Sequence, residues 1–203
     1  FYGKKLVGSE TFTSLLEPWA YAPADLMHTA DAAFLQGMNR PVIHTSPHVP
    51  VDDKLPGVSL SIFGQYFNRN ETWAEMAGPW IDYLARTATL LQKGKPQSDV
   101  AYFYGEEAGA VSQALNGYMK DVPVHYGYDF ISADSVRNKL EVKNGLLISP
   151  AGTEYRVLYL GANTKYMTLG VLRKLADLVH NGATVIGLKP LGSPSLSDSK
   201  EEF

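Results

Sequence analysis

The chain has 203 residues, 45% of them hydrophobic and 19% charged, with a formal net charge of -3 and no cysteine. Such a composition describes a globular chain, long enough for one large or two small domains. It excludes disulfides, thiolate metal sites and a cysteine nucleophile. Without a basic block or a binding signature, nucleic acid is not an expected partner. No run of about 18 apolar residues is present to span a membrane. The chain opens at Phe1 on the lead-in to a strand, without a signal peptide, and is expected to be a piece of a longer protein.

In chain order, a strand is predicted over residues 5–8, with polar Ser9-Glu10-Thr11 just beyond it. Strand ends carry the chemistry in parallel α/β barrels, and Glu10 stands where such a residue stands. A solvated loop carboxylate is the other reading of that position. A loop with Trp19 and Tyr21 follows, and Asp25 is the predicted N-cap of a helix over residues 26–36 that buries Leu26, Ala30, Ala33 and Phe34. Gly37 ends it. His28, in this helix, is a surface or packing residue. Residues 41–45 form the next predicted strand, completing a strand–helix–strand pattern of α/β character.

A long stretch without helical or strand period follows. Pro47, Pro50, Pro56 and Gly57 prevent regular structure in its first half, and residues 58–63 suit a short strand or lid segment. Loops of this length are functional or disordered. Its histidines, aromatics and amides are not a disordered composition, so it is predicted to carry a site for a polar ligand. Thr72-Trp73-Ala74-Glu75 fits a capping box. The helix after it is interrupted at Gly78-Pro79 and resumes over residues 80–92, with Ile81, Leu84, Ala88 and Leu91 on one face. This amounts to about two units of a barrel, whose edges need cover.

KGKPQS, residues 93–98, reads as a linker between a first domain, residues 1–97, and a second, residues 98–203. The second begins with a buried strand at 100–104, then Gly105-Glu106-Glu107 and a helix through Val111 and Leu115. Residues 124–130 lead to a helix at 133–140, then a small hairpin within 146–156. A strand at 157–161, an amphipathic helix at 168–180 facing inward with Leu169, Leu172, Leu175 or Ala176 and Val179, and a strand at 183–188 complete the set. Repeated βα units with apolar strands predict a flavodoxin-like, doubly wound parallel sheet. The polar tail, 193–203, is expected to fray.

For chemistry, the carboxylates come first, since glycoside hydrolysis needs two. Glu10 is one candidate. Asp52, Asp53 and Glu71 lie in or beside the long loop, and Glu71 reads as favouring a helix N-terminus rather than as catalytic. His44 and His48 have the i, i+4 spacing of metal ligands, but a strand and Pro47 intervene, which disfavours zinc. Neutral histidines reaching hydroxyl groups fit better, and a core role for His44 stays open. Gly105-Glu106-Glu107 occupies the place of a phosphate loop without its glycine pattern and with the wrong charge, so no nucleotide is expected. No serine stands in a nucleophile elbow. Trp19, Tyr66, Phe67 and Trp73 flank the polar groups, either as sugar-stacking faces or as packing.

Several motifs in fixed order resemble one family. YGKKLVGSETFTS (Tyr2 to Ser14), NRPVIHTSPHVP (Asn39 to Pro50) and FGQYFNRNETW (Phe63 to Trp73) are similar to glycoside hydrolase family 106, the α-L-rhamnosidases. WIDYLARTATLLQKGKPQSDVAYFYGEE, from Trp80, resembles the segment where those enzymes leave the catalytic barrel, and the likeness continues through VLYLGANTKYMTLGVLRKLADLVHNGATVIGLKP. The resemblance implies a large, exported bacterial glycosidase, periplasmic or secreted, that removes terminal α-L-rhamnose from plant polysaccharides or glycosides with inversion and with calcium. It implies Glu10 as a catalytic carboxylate and His44, His48, Gln65, Asn70 and Trp73 as the lining of the sugar pocket. It places neither the second carboxylate nor the calcium ligands. Val49 stands where the family's HxP motif leads one to expect a glutamine. The partners expected are a rhamnose-containing glycan and the remainder of the protein's own chain. The contrasting expectation is a non-catalytic flavodoxin-like module for docking or oligomerisation, carrying a remnant of barrel.

Overall fold

Strands β1 (Gly8–Thr11) and β2 (Arg40–Ile43) run parallel, with Glu10 opposite Val42 and Thr11 opposite Ile43. They belong to the compact unit of residues 5–95; residues 1–4 and 96–203 make up a second. The computed structural model describes residues 1–107 and 121–203, so the helix predicted through Val111 and Leu115 lies outside the described residues.

β1 starts later than the predicted strand at 5–8 because Asn39 holds the apolar run before it. The Val7 N–H donates to Asn39 Oδ1 (2.7 Å), and Asn39 Nδ2 donates to the Lys5 carbonyl (2.8 Å). With those groups taken by a side chain, the strand ladder begins only at Gly8, and Glu10 lies inside the strand instead of after it.

Helix α1 (Pro23–Leu35) also starts early. Its N-cap is Ala22, with Pro23 at the first helical position, where a missing N–H costs nothing. Asp25, predicted as the cap, reaches back to accept from the Ala22 N–H (2.9 Å). The predicted capping box at Thr72 and Glu75 is not formed: a single 3₁₀ turn, Ala74–Met76, has Trp73 at its N-cap without a capping side-chain bond. Gly78-Pro79 begins helix α2 (Gly78–Lys93) rather than interrupting one. Ile81 and Leu91 are exposed, and the buried face is Trp80, Leu84 and Ala88. These pack with Phe12, Leu26, Ala30, Phe34, Met38 and Trp73 into one core. The Tyr83 hydroxyl donates to the Asp31 carboxylate, tying α2 to α1.

The second unit has a four-stranded sheet and a three-stranded one. Strands β3 (Val100–Phe103) and β4 (Tyr128–Ile131) precede helix α3 (Ala133–Asn138), whose N–H at Ser135 donates to the Ser132 hydroxyl. Next come β5 (Glu141–Lys143), β6 (Leu146–Ile148) and β7 (Glu154–Tyr155), an antiparallel set. The predicted hairpin thus gains a strand, turned by Asn144-Gly145, both at positive φ (54° and 78°) as a two-residue hairpin turn requires. Strand β8 (Val157–Leu160), helix α4 (Leu169–His180) and strand β9 (Val185–Ile186) follow. The parallel sheet has the order β4-β3-β8-β9. Central β3 is buried along its whole length, as a parallel strand covered on both faces must be.

Helix α4 buries Leu169, Val171, Leu175 and Leu178, while Val179 is exposed. The tail is not frayed. Leu191 N–H donates to the Lys165 carbonyl (2.8 Å), Leu169 N–H to the Asp198 carboxylate (2.8 Å), and Arg173 pairs with Glu202 (3.1 Å). Both units are helices with parallel strands, an α/β fold. Among the described residues no helix is long and apolar enough to cross a membrane.

Candidate active site

Glu10 is exposed on β1, and its Oε1 accepts from the Thr13 hydroxyl at 3.0 Å. It lines an open cleft of about 610 Å³ with Ser9, Thr11 and, from α1 and its C-cap, His28, Thr29 and Gln36. An exposed carboxylate in that position can exchange a proton with a bound molecule.

The long loop is held by a few directional bonds. The His44 N–H donates to the Thr11 carbonyl (3.0 Å), extending the β1–β2 ladder one step. The peptide between His44 and Thr45 is cis. Thr45 then pairs with the far arm of the loop: its N–H donates to the Gln65 carbonyl (3.0 Å), and its carbonyl accepts from the Phe67 N–H (2.9 Å). Gly64 bonds Ser14 through its N–H (2.9 Å) and its carbonyl (2.5 Å). A side chain at Gly64 would meet the Tyr66 ring at 2.7 Å, so only glycine fits. Arg69 folds the proline-rich arm onto the amide-rich one, donating to the carbonyls of Val49 (3.1 Å) and Val51 (3.0 Å) and to Asp52 (2.5 Å). Asn70 Nδ2 donates to the Pro56 carbonyl (3.0 Å). Val49 is buried beside Gly57, a packing role that a glutamine there would not fill.

The residues singled out in the sequence thus fall into two groups. His44 is half-buried, and its Nδ1 finds no hydrogen-bond partner among the described residues; His48 is exposed, and Asn70 half-buried. Gln65 is fully buried, its amide engaged at both ends. Trp73 is buried in the core, donating to the Tyr21 carbonyl (3.0 Å) and meeting Phe67 and Trp80 edge-on.

Glu71, read from the sequence as favouring a helix N-terminus, is instead an interior carboxylate. It is only 5% exposed, and burial pushes its carboxyl above the ordinary carboxylate range, against the bonds from Thr72 and Gln65 that pull it down. The Gln65 amide donates to one carboxylate oxygen (2.8 Å), and the Thr72 N–H to the other (3.0 Å). An acid just before a threonine looks like any helix-start residue; only the loop's closure over it makes it interior.

Among the described residues no three His, Asp or Glu side chains converge to hold a metal ion, and Asp52 is engaged by Arg69. These residues therefore do not by themselves fit a calcium site. In the second unit, Glu106 accepts from the Thr168 N–H (2.8 Å) and hydroxyl (3.2 Å), and Glu107 from the Tyr166 N–H (3.0 Å). With Asp198 on the Leu169 N–H, the chain's own carboxylates occupy the start of α4.

The first unit thus pairs a parallel α/β strand unit bearing an exposed carboxylate with a loop of histidines, amides and aromatics. The chain is a member of glycoside hydrolase family 106: the sequence profile described as alpha-L-rhamnosidase matches residues 1–203. A solved structure of a rhamnosidase from Novosphingobium sp. PP1Y is similar to it, with 52% identity and a TM-score of 0.87 over 94% of this chain and 18% of that one. A Formosa agariphila protein, provisionally named a beta-glucuronidase, is 38% identical over 194 residues, 96% of this chain and 16% of its own length. The chain thus spans less than a fifth of either relative.

Proposed function

We propose that the full-length parent of this chain is a glycosidase that removes terminal α-L-rhamnose from plant polysaccharides or glycosides by an inverting, two-carboxylate mechanism. The observation that carries this reading is the 52% identity to a rhamnosidase across nearly the whole chain. Residues 1–97 are the C-terminal part of a TIM-like catalytic barrel, a reading supported by the β1–α1–β2 unit with its parallel pairing. Residues 98–203 are a flavodoxin-like accessory domain, supported by the order β4-β3-β8-β9, in which the first strand of that sheet lies between its second and third.

Glu10 is one of the two carboxylates. In an inverting pair one acid protonates the leaving oxygen and the other carboxylate activates water on the opposite face, with the two about 6.5–9.5 Å apart. The partner carboxylate comes from elsewhere in the parent. His44, His48 and Asn70, which keep exposed surface, bond the sugar hydroxyls. Gln65 and Trp73, being buried, stand behind them. Calcium is supplied at a site completed by other parts of the parent, and the parent is periplasmic or secreted.

The test is turnover of an aryl α-L-rhamnoside beside an aryl β-D-glucuronide by the parent, wild type and Glu10→Gln. Rhamnoside turnover is expected, with kcat falling about a hundredfold or more in the variant. An unchanged variant removes Glu10 from the mechanism. Turnover of the glucuronide alone moves the substrate to the class named for the Formosa relative. A folded parent inactive on both returns the docking-module reading.

A further inference from the structure

The buried bonds around Gln65 form a chain with a definite polarity. At one end the Tyr21 N–H donates to Gln65 Oε1 (3.3 Å). In the middle Gln65 Nε2 donates to Glu71 Oε2 (2.8 Å), and at the other end the Thr72 N–H donates to Glu71 Oε1 (3.0 Å). Both ends are main-chain donors, fixed by the peptide and unable to turn round. Between them stand two side chains. An amide has one donating and one accepting end; an ionised carboxylate accepts at both. Two amides in series would therefore leave two donors face to face at one link, whichever way either is flipped. One amide and one carboxylate satisfy every link.

Gln65 is fully buried, so no ligand touches it, and its influence passes through what it holds. Its carbonyl takes the Thr45 N–H (3.0 Å), next to His44. The Glu71 N–H donates to the Asn68 carbonyl (3.1 Å), and Asn68 Oδ1 takes the Asn70 N–H (2.9 Å). Trp73 closes the circuit on the Tyr21 carbonyl (3.0 Å).

We propose that Gln65 and Glu71 are positioning residues: a polarity-matched clasp that joins the loop after β1 to the loop after β2 and sets the placement of His44 and Asn70 for the sugar. This rests on the proposed glycosidase reading for what is positioned, though not for the clasp itself. The matching rule has a consequence that a simple contact would not: the carboxylate can sit at either side-chain position. With Gln65→Glu and Glu71→Gln together, the carboxylate takes the Tyr21 N–H and the new amide, whose own oxygen takes the Thr72 N–H, and every link is satisfied again.

The experiment uses the full-length parent with an aryl α-L-rhamnoside: wild type, Gln65→Glu, Glu71→Gln and the double exchange. Each single variant is expected to lose about tenfold or more in kcat/KM, chiefly as a rise in KM, since the groups displaced bind the sugar. The double exchange is expected to recover most of the loss. A merely unstable variant would show less active enzyme at unchanged KM, which overturns the positioning role. A folded double exchange that stays impaired in kcat shows that the charge is needed at position 71 itself, and also overturns it. Where a single variant does not fold, the double exchange decides alone, upheld by a KM near that of wild type. Should wild type not hydrolyse the rhamnoside, the glycosidase reading fails. The clasp is then judged by exchange protection of the Tyr21 and Thr72 amides, which the double exchange must restore.

Discussion

Glu71 shows how far burial can change a residue's meaning. Its carboxyl is raised above the ordinary glutamate value, with desolvation the largest cause and the bonds from Thr72 and Gln65 acting the other way. A carboxyl group that holds its proton more tightly in the folded state than in the unfolded state makes stability fall as pH rises from the unfolded value through the raised one. Urea unfolding across that window is expected to show the decline, and Glu71→Gln to flatten it. An equal slope in the variant would assign the dependence to other groups. Glu10 was legible in the sequence because polarity following an apolar run is a local pattern. Glu71 was not, because its burial depends on Tyr21 and Gln65, 50 and 6 residues away, closing around it. Gln65 and Trp73 share that lesson: their residue types suit contact with a sugar, and tertiary folding buries both.

Among the elements, existence was easier to read than phase. Helix α4 stands where its period predicts, yet the inward stripe is Val171, Leu175 and Leu178 rather than one including Leu172 and Val179. Apolar residues fall on both stripes, and only the sheet beneath decides between them. Leu178→Ala is therefore expected to cost about 2–5 kcal/mol, and Leu172→Ala much less, in urea unfolding of the chain; equal costs would refute the assignment of faces. The late start of β1 has a different origin. A side chain, Asn39, takes main-chain groups that a ladder would have used, and no strand propensity records such a bond. By contrast, the Asn144-Gly145 turn was readable in the sequence and was passed over.

At the level of the whole molecule, the family and the α/β class were legible because motifs in fixed order survive where single contacts vary. Ligands for the proposed calcium were not, because a metal site gathers them by tertiary folding from distant positions. Chelation of the full-length parent is expected to lower rhamnoside turnover, and added calcium to restore it; a parent indifferent to chelation would sink the calcium reading.

Residues 1–4 belong with residues 96–203, where the Phe1 ring meets that of Tyr155 and the Tyr2 hydroxyl bonds Ser135 (2.7 Å). On a ribosome these four residues emerge before residues 5–95, and their neighbours only after them. At about 5–20 residues per second, that interval is one of several seconds. Completion of the second unit therefore waits for residues 96–203 to find residues 1–4, after residues 5–95 have been made. Closing so long a loop costs little more than closing a short one, so the delay falls on the order of assembly and hardly on its equilibrium.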